Sequence, residues 1–295
     1  MDGFINLYKE SGKSSFGAIS PLRRIFNEKK IGHTGTLDPM AEGVLPVTLG
    51  RASKFINLLP ENEKEYIAKF IFGKRTDTLD ITGKIIEEIK YIPSTDDLMN
   101  ILPEFMGEIS QIPPMYSALK KDGVRLYDLA RKGLEFERES RKVKVFNIEF
   151  LEEYNGEYQI KVRSSAGTYI RSLIDDVGMK LGSGAVMTGL IRTESNGFTV
   201  ENSYTLSEIE NLVNQGKTDK VLIPVEKMMS IYPSVSVTQR QMVRFINGGG
   251  LLLERIINIP ENNGLLRVYS NDEFLGVGEI ADKELKVKVL YKINA

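Results

Sequence analysis

The stretch 31–45 concentrates the side chains of this sequence that could do chemistry. It holds a single carboxylate ahead of a proline, Asp38, together with the only histidine of the chain, His33, and three glycines. The apolar run 44–49 follows at once and predicts a buried strand. The stretch therefore predicts a reactive group held against a strand.

Glycine and proline predict the shape of this turn. Gly35 and Gly43 are expected to adopt backbone conformations that other residues avoid. Pro39 is expected to keep Asp38 out of the helical region. These residues predict a rigid turn that presents the Asp38 carboxylate.

An ionised carboxylate in such a turn has more than one use. It can attack an electrophilic carbon covalently or stabilise a developing cation. It can also do no more than hydrogen-bond nearby amides, as many Asp-Pro turns do. A carboxylate hydrolase would need a second acid, and no motif places one near Asp38. The absence of cysteine excludes thiolate chemistry, and one histidine makes a zinc site implausible.

Length and charge set broader limits. The 295 residues suggest about two domains, and 41% hydrophobic with 27% charged residues is ordinary for a soluble globular protein. The net charge of −1 does not indicate nucleic acid, but residues 1–54 carry a net +3 and residues 112–146 a net +4. Either cluster could be a solvated face. Without a signal peptide or a long apolar segment, we expect a cytoplasmic protein.

Helix signals and strands are mixed along the chain. Ser15 predicts the start of a helix over 15–27. Three capping boxes predict further helix starts, at Ser94 with Asp97, Thr205 with Glu208, and Thr238 with Gln241. Strands and helices do not alternate regularly, so the prediction is an α+β fold with a largely antiparallel sheet.

The string Gly-His-Thr-Gly-Thr-Leu-Asp-Pro-x-Ala-x-Gly-Val-Leu, residues 32–45, closely resembles the active-site motif of the TruB family of tRNA pseudouridine synthases. The resemblance is also strong at Tyr66 with 75–78, at 114–120 and at 167–171. So many fixed positions make it far more specific than a lone glycine pattern.

This resemblance implies an activity and an architecture. The family isomerises uridine 55 in the T-loop of tRNA to pseudouridine, a redox-neutral reaction that needs no cofactor and no metal. It implies a catalytic domain over 1–232, with an RNA-gripping insertion at about 115–142, and a PUA-like β domain over 233–295. We expect tRNA as the partner, no membrane, no obligate protein partner and a monomer.

The resemblance also assigns roles to individual residues. Asp38 would be the nucleophile, attacking the sugar C1′ or the base C6, and Arg171 the cation that keeps it charged. The uridine would be flipped into the pocket. Residues that contact or position it would be His33, Tyr66, Tyr169, Arg171 and Leu190, and those that hold the RNA would be Lys54, Lys120, Lys121 and Arg125.

Two functions remain open on this basis. One is a stand-alone tRNA pseudouridine synthase. The other is an RNA-folding factor that grips the tRNA elbow and whose isomerase site is dispensable. The sequence favours the enzyme, because each motif residue that the chemistry requires is present.

Overall fold

Two β-sheets carry the fold. The computed structural model describes residues 1–59, 63–116, 138–260 and 264–291, and the backbone alone of 120–121 and 124–125. In chain order the strands are β1 Gly3–Lys9, β2 Ile31–His33, β3 Glu42–Leu49, β4 Glu63–Phe72, β5 Lys74–Thr76, β6 Ile85–Glu88, β7 Gly107–Gln111, β8 Lys120–Lys121, β9 Val124–Arg125, β10 Arg141–Tyr154, β11 Glu157–Ser165, β12 Ala185–Ser195, β13 Phe198–Thr199, β14 Ser234–Ser236, β15 Leu251–Leu252, β16 Leu265–Ser270, β17 Glu273–Ala281 and β18 Glu284–Leu290.

The helices are short and lie between the strands. In chain order they are α1 Ser15–Ile19, α2 Leu22–Ile25, α3 Thr95–Ile101, α4 Ile170–Lys180, α5 Leu206–Asn214, α6 Val225–Met228 and α7 Gln239–Ile246. Six 3-10 helices accompany them in the described residues, at Gly50–Leu58, Leu102–Phe105, Val200–Asn202, Thr218–Lys220, Met229–Ile231 and Leu253–Arg255. None of the helices in the described part of the chain has the length and apolar character that crossing a membrane requires.

The larger sheet supports the Asp38 turn. Its strands follow the order β1-β3-β12-β4-β11-β10-β7, with β2 added on β3 and β13 on β12. All described pairings in it are antiparallel except β3 with β12. The smaller sheet has the order β14-β16-β17-β18-β15. The predicted α+β class with a largely antiparallel sheet and a C-terminal β unit is confirmed.

Side chains from both sheets share one apolar cluster. The ring of Phe55, on the first 3-10 helix, lies 6.3 Å from the ring of Phe274 on β17. Phe4 and Val44, both fully buried, belong to the same cluster. The C-terminal β unit is therefore packed against the strand that follows the Asp38 turn. The domain division at residue 232 stays a prediction.

The structure confirms three of the helix starts predicted from the sequence and contradicts one predicted helix. The capping boxes at Ser94, Thr205 and Thr238 are all confirmed. The single helix predicted over 15–27 is wrong, because it is broken into α1 and α2 at Pro21, which has no N–H to continue the helical ladder.

Candidate active site

Two buried polar side chains, Ser15 and Lys9, anchor the backbone before and after Asp38. The Ser15 hydroxyl accepts from the Leu37 N–H at 2.8 Å and donates to the Leu37 carbonyl at 2.9 Å. Lys9, fully buried on β1, donates to the carbonyls of Pro39 at 3.2 Å and Ala41 at 2.5 Å. The backbone on both sides of Asp38 is thus fixed by charge-assisted or paired hydrogen bonds.

Arg192 fixes the two ends of the turn. This β12 residue is fully buried, and its guanidinium donates to the carbonyls of Val44 at 2.8 Å, Gly35 at 3.1 Å and Thr36 at 3.5 Å. Carbonyl dipoles, rather than a carboxylate, therefore solvate this buried cation. Sequence reasoning missed both Lys9 and Arg192, because a lone basic residue in a strand is normally exposed.

The two glycines of the turn, Gly35 and Gly43, differ in backbone conformation and in what surrounds them. Gly43 has a φ of +102°, and a Cβ there would lie 2.3 Å from the Arg192 carbonyl oxygen, so the prediction for Gly43 is confirmed. The prediction for Gly35 is wrong, since its φ is not positive. At Gly35 a Cβ would lie 2.9 Å from the Lys64 ammonium nitrogen, so a larger residue would require the flexible lysine side chain to shift.

Asp38 is paired with Arg171. The Arg171 Nε lies 2.9 Å from Asp38 Oδ2. Arg171 stands in the first turn of α4 and is 4% exposed, whereas 33% of the Asp38 side chain is accessible. The guanidinium also donates to the carbonyls of Thr78 at 2.8 Å and Tyr116 at 2.9 Å. The two carbonyls therefore fix the arginine, while the Asp38 carboxylate stays accessible to a ligand.

A second carboxylate faces the same arginine. Asp80 Oδ2 lies 3.5 Å from Arg171 Nη1, and its other oxygen accepts from the Thr78 hydroxyl at 2.9 Å and the Thr82 N–H at 3.0 Å. Arg171 therefore lies between two carboxylates. Sequence reasoning missed Asp80 as a member of the site, although it lies two residues after the motif residues 75–78 in the same polar turn.

The pKa of the Asp38 carboxyl is raised above its ordinary value. Burial is the main cause, because desolvation penalises the charged form, and the negative charge of Asp80 adds to it. The nearby cations Arg171 and Lys9 oppose the rise. Removing either cation is expected to move the carboxyl further toward its neutral form.

Tyr66 lies on the sheet beside the turn. It is 6% exposed on β4, where its register neighbours are Val162 on β11 and Arg192 on β12. Burial and, to a lesser degree, Asp38 raise the pKa of the phenol, although Arg192 lies within hydrogen-bonding reach of it. The phenol is therefore protonated at neutral pH, which suits a stacking surface better than an ionised base.

The other predicted contact residues lie on β2, at the start of α4 and on β12. Burial, followed by Arg192 and Lys64, lowers the pKa of His33, so its imidazole is neutral at neutral pH. Tyr169 caps α4 next to Arg171, and its ring lies 4.8 Å from the guanidinium carbon of Arg141. Leu190 is 8% exposed on β12. Their roles in binding a substrate stay predictions.

Among the predicted RNA-holding residues, Lys54 is the one whose side chain the structure describes. Lys54 is exposed on the 3-10 helix Gly50–Leu58. Lys120, Lys121 and Arg125 belong to the paired short strands β8 and β9, and their side chains lie outside the described residues. Residues 117–119, 122–123 and 126–137 of the predicted insertion also lie outside them.

The centre offers carboxylate chemistry. In the described residues, no group of three His, Cys, Asp or Glu side chains could hold a metal ion. What the geometry provides is one accessible carboxylate, a buried arginine that pairs with it, and an aromatic ring on the sheet beside it. This arrangement can attack an electrophilic carbon or stabilise a cation.

Comparisons with known proteins identify relatives over the whole chain. Family models match the TruB family pseudouridylate synthase N-terminal domain over residues 23–170, the tRNA pseudouridylate synthase B C-terminal domain over 171–230, and the pseudouridine synthase II TruB C-terminal domain over 233–291. The tRNA pseudouridine synthase B of Clostridium tetani is 42% identical over 97% of this chain and 98% of its own length.

Solved structures give the same family relation. A Cbf5-Nop10-Gar1 complex contains a chain that is 28% identical with a TM-score of 0.73, covering 98% of this chain and 84% of that one. An H/ACA RNP bound to a substrate RNA containing 2′-deoxyuridine contains one that is 26% identical with a TM-score of 0.72, covering 99% and 85%. With its Asp38 turn, its mixed sheet and these relatives, the chain belongs to the TruB family of pseudouridylate synthases.

Proposed function

We propose that this pseudouridine synthase isomerises uridine 55 in the T-loop of tRNA, with Asp38 as the nucleophile. The observation that carries the proposal is the ion pair of Asp38 with Arg171, in which the arginine is buried and the carboxylate is accessible. Action on tRNA is supported by relatives that cover nearly the whole chain and bear the name tRNA pseudouridine synthase B.

The reaction conserves all atoms of the nucleoside. The N1–C1′ bond of the uridine breaks, the uracil turns, and a C5–C1′ bond forms. The proton on C5 leaves and N1 gains a proton. Asp38 attacks C1′ or C6 to hold one fragment while the uracil turns, and Arg171 keeps the carboxylate charged and aimed.

The surrounding residues position the extruded nucleoside. Tyr66 supplies a ring against which the uracil stacks, and Leu190 and Tyr169 bound the pocket. His33 occupies space close to the base. Because the uridine lies inside the folded tRNA elbow, its extrusion costs unstacking energy, which contacts between the RNA and Lys54 and the 115–142 segment offset.

The direct experiment compares the wild-type protein with Asp38→Asn on tRNA that carries 5-tritiated uridine. Tritium release reports loss of the C5 hydrogen. We expect the variant to release none above background while binding tRNA with nearly unchanged affinity, because the amide keeps the shape of the side chain and removes the nucleophile. Asp219→Asn, an exposed carboxylate on a separate 3-10 helix, is the matched control and is expected to keep full activity.

The outcomes separate the two functions considered from the sequence. Release by Asp38→Asn at the wild-type rate would refute the nucleophile assignment. If the wild-type protein releases no tritium but accelerates tRNA folding, the protein is an RNA-folding factor instead.

A further inference from the structure

Lys64 lies at the rim of the candidate active site and has no role in the proposed reaction. It stands near the start of β4, on the same face of the strand as Tyr66, since side chains two residues apart share a face. Its side chain reaches across to the Asp38 turn. There its ammonium nitrogen lies 2.9 Å from the position that a Cβ on Gly35 would take, and Arg192 Nη1 lies 3.6 Å from the same position.

No anionic side chain among the described residues pairs with the Lys64 ammonium. In the part of the chain that the structure describes, it forms no ion pair and no side-chain hydrogen bond. The glutamates on either side of it pair elsewhere, Glu63 with Arg163 at 2.7 Å and Glu65 with Lys161 at 3.1 Å. Burial lowers the pKa of Lys64 to about 8, and Arg192 adds to the effect.

Such an arrangement is costly in the free protein. A half-buried cation without a counter-charge loses part of its hydration and gains no ion pair in return. Here the neighbours increase the cost, because Arg192 is a cation and the histidine close by, His33, is no anion. An anion that arrives with the ligand would remove this cost.

Two hydrogen-bonding groups near Lys64 are also unused. The buried atoms Thr34 Oγ1 and Ser164 Oγ have no hydrogen-bond partner among the described residues. Ser164 is the register partner of Lys64 on β11, so its side chain shares the same face of the sheet. Thr34 lies between His33 and Gly35. Buried polar groups are normally satisfied, so a cluster of unsatisfied ones indicates a place for a polar ligand.

The distance from Tyr66 suggests which part of an RNA the site takes. Two residues along a strand span about 7 Å. This span is comparable with the separation between the base and a backbone phosphate of one nucleotide. A uracil stacked on Tyr66 would therefore bring one of its own phosphates toward Lys64.

We infer that Lys64, flanked by His33 and Arg192 at Gly35, binds a backbone phosphate of the extruded uridine, on its 5′ or its 3′ side. This inference rests on the proposed function, since it takes the flipped nucleotide as the ligand. The site holds the nucleotide by its charge and leaves the nucleoside to Tyr66 and Asp38. It would thereby add binding energy only when the nucleotide is flipped out.

The test pairs a protein substitution with removal of a single RNA charge. Hairpins with the T-loop sequence carry one neutral methylphosphonate linkage, placed 5′ of the target uridine, 3′ of it, or in the stem. Binding is measured in the Asp38→Asn background, so that no turnover occurs, for this parent protein and for its Lys64→Met and Lys69→Met derivatives. Lys69→Met is the control, since Lys69 lies on the same strand and pairs with Glu157 at 4.0 Å.

The expected pattern is specific. With Lys64 present, neutralising one of the two phosphates at the target weakens binding about tenfold or more, since charge-assisted hydrogen bonds are the strong ones. Lys64→Met weakens binding of the unmodified hairpin by a similar factor, and the methylphosphonate then has no further effect. The salt dependence of binding falls by a slope of about one. Lys69→Met behaves like the parent protein.

Other outcomes overturn the inference. If Lys64→Met remains as sensitive to the methylphosphonate as the parent, the phosphate is bound elsewhere. If Lys64→Met binds the unmodified hairpin as the parent does, Lys64 binds no phosphate. Thermal unfolding without RNA gives a second check, because removing an unpaired cation should leave the melting temperature unchanged or raise it, whereas loss of a structural contact lowers it. Failure of the proposed function would be seen separately, as absence of tritium release by the protein with Asp38 intact.

Discussion

Removal of the Arg171 charge should move the pH dependence of the reaction. Arg171 lies 2.9 Å from Asp38 and 3.5 Å from Asp80, so Arg171→Gln leaves two carboxylates facing each other without their shared cation. Because the pKa of Asp38 is already raised by burial, loss of the cation raises it further. The sign is therefore fixed: the acid limb of the activity profile moves to higher pH.

The size of the effect follows from the short distance. An opposite charge this close lowers a carboxyl pKa by about 1–3, so its removal should move the acid limb upward by about 1–3 on the pH scale. Well below the new midpoint, kcat/KM falls about tenfold for each pH unit that the limb has moved, and part of the loss is recovered at alkaline pH. Arg171→Lys, which keeps the charge, should move the limb less.

The assay is tritium release at subsaturating tRNA, from about pH 5.5 to about pH 9.5, with the folded fraction followed by circular dichroism. This check is needed because breaking a buried ion pair costs about 3–5 kcal/mol of folding free energy. Arg75→Gln is the matched control, since Arg75 pairs with Asp175 of the same helix at 2.7 Å and makes no described contact with Asp38. An acid limb that stays in place in folded Arg171→Gln would refute the electrostatic account.

Three further predictions concern neighbouring groups. Tyr66→Phe should lower kcat more than it raises the Kd for tRNA, because phenylalanine keeps the stacking ring and loses only the hydroxyl that interacts with Arg192. A loss confined to affinity in parallel kinetic and binding titrations would make Tyr66 a positioning residue only. Neutralising Lys120, Lys121 and Arg125 together should weaken tRNA binding and lower its salt slope by about one per lost phosphate contact, and an unchanged slope would remove this segment from the interface. Asp38→Asn should unfold at a higher temperature than the wild type at neutral pH, because a raised folded-state pKa means that charging Asp38 costs stability, and Arg171 keeps Asp80 as a counter-charge. This advantage should vanish as the pH falls through the Asp38 pKa toward about 4, and a variant that is less stable at neutral pH would contradict the burial argument.

The sequence was informative wherever structure is set by neighbouring residues. The capping boxes at Ser94, Thr205 and Thr238 act over three residues, so their composition suffices to predict them. The approach of Arg171 to Asp38 joins positions far apart in the chain. It was expected only through the family resemblance, because no local pattern encodes such a contact.

The misses have a common physical cause. Lys9, Lys64 and Arg192 look like ordinary strand residues, and basic side chains are almost always solvated. Their burial depends on which strands become neighbours, which no local pattern reveals. The sequence predicts a special backbone conformation for Gly35, whereas its small size makes room for Lys64, a constraint visible only in three dimensions.

The most direct test of the central claim maps pseudouridine in tRNA from cells that lack this protein and are supplied with either the wild-type chain or Asp38→Asn. Both proteins must be present at equal amounts, as judged by immunoblot. The account predicts that position 55 is pseudouridine with the wild-type chain and remains uridine with Asp38→Asn. Pseudouridine at position 55 in cells that contain only Asp38→Asn would contradict it.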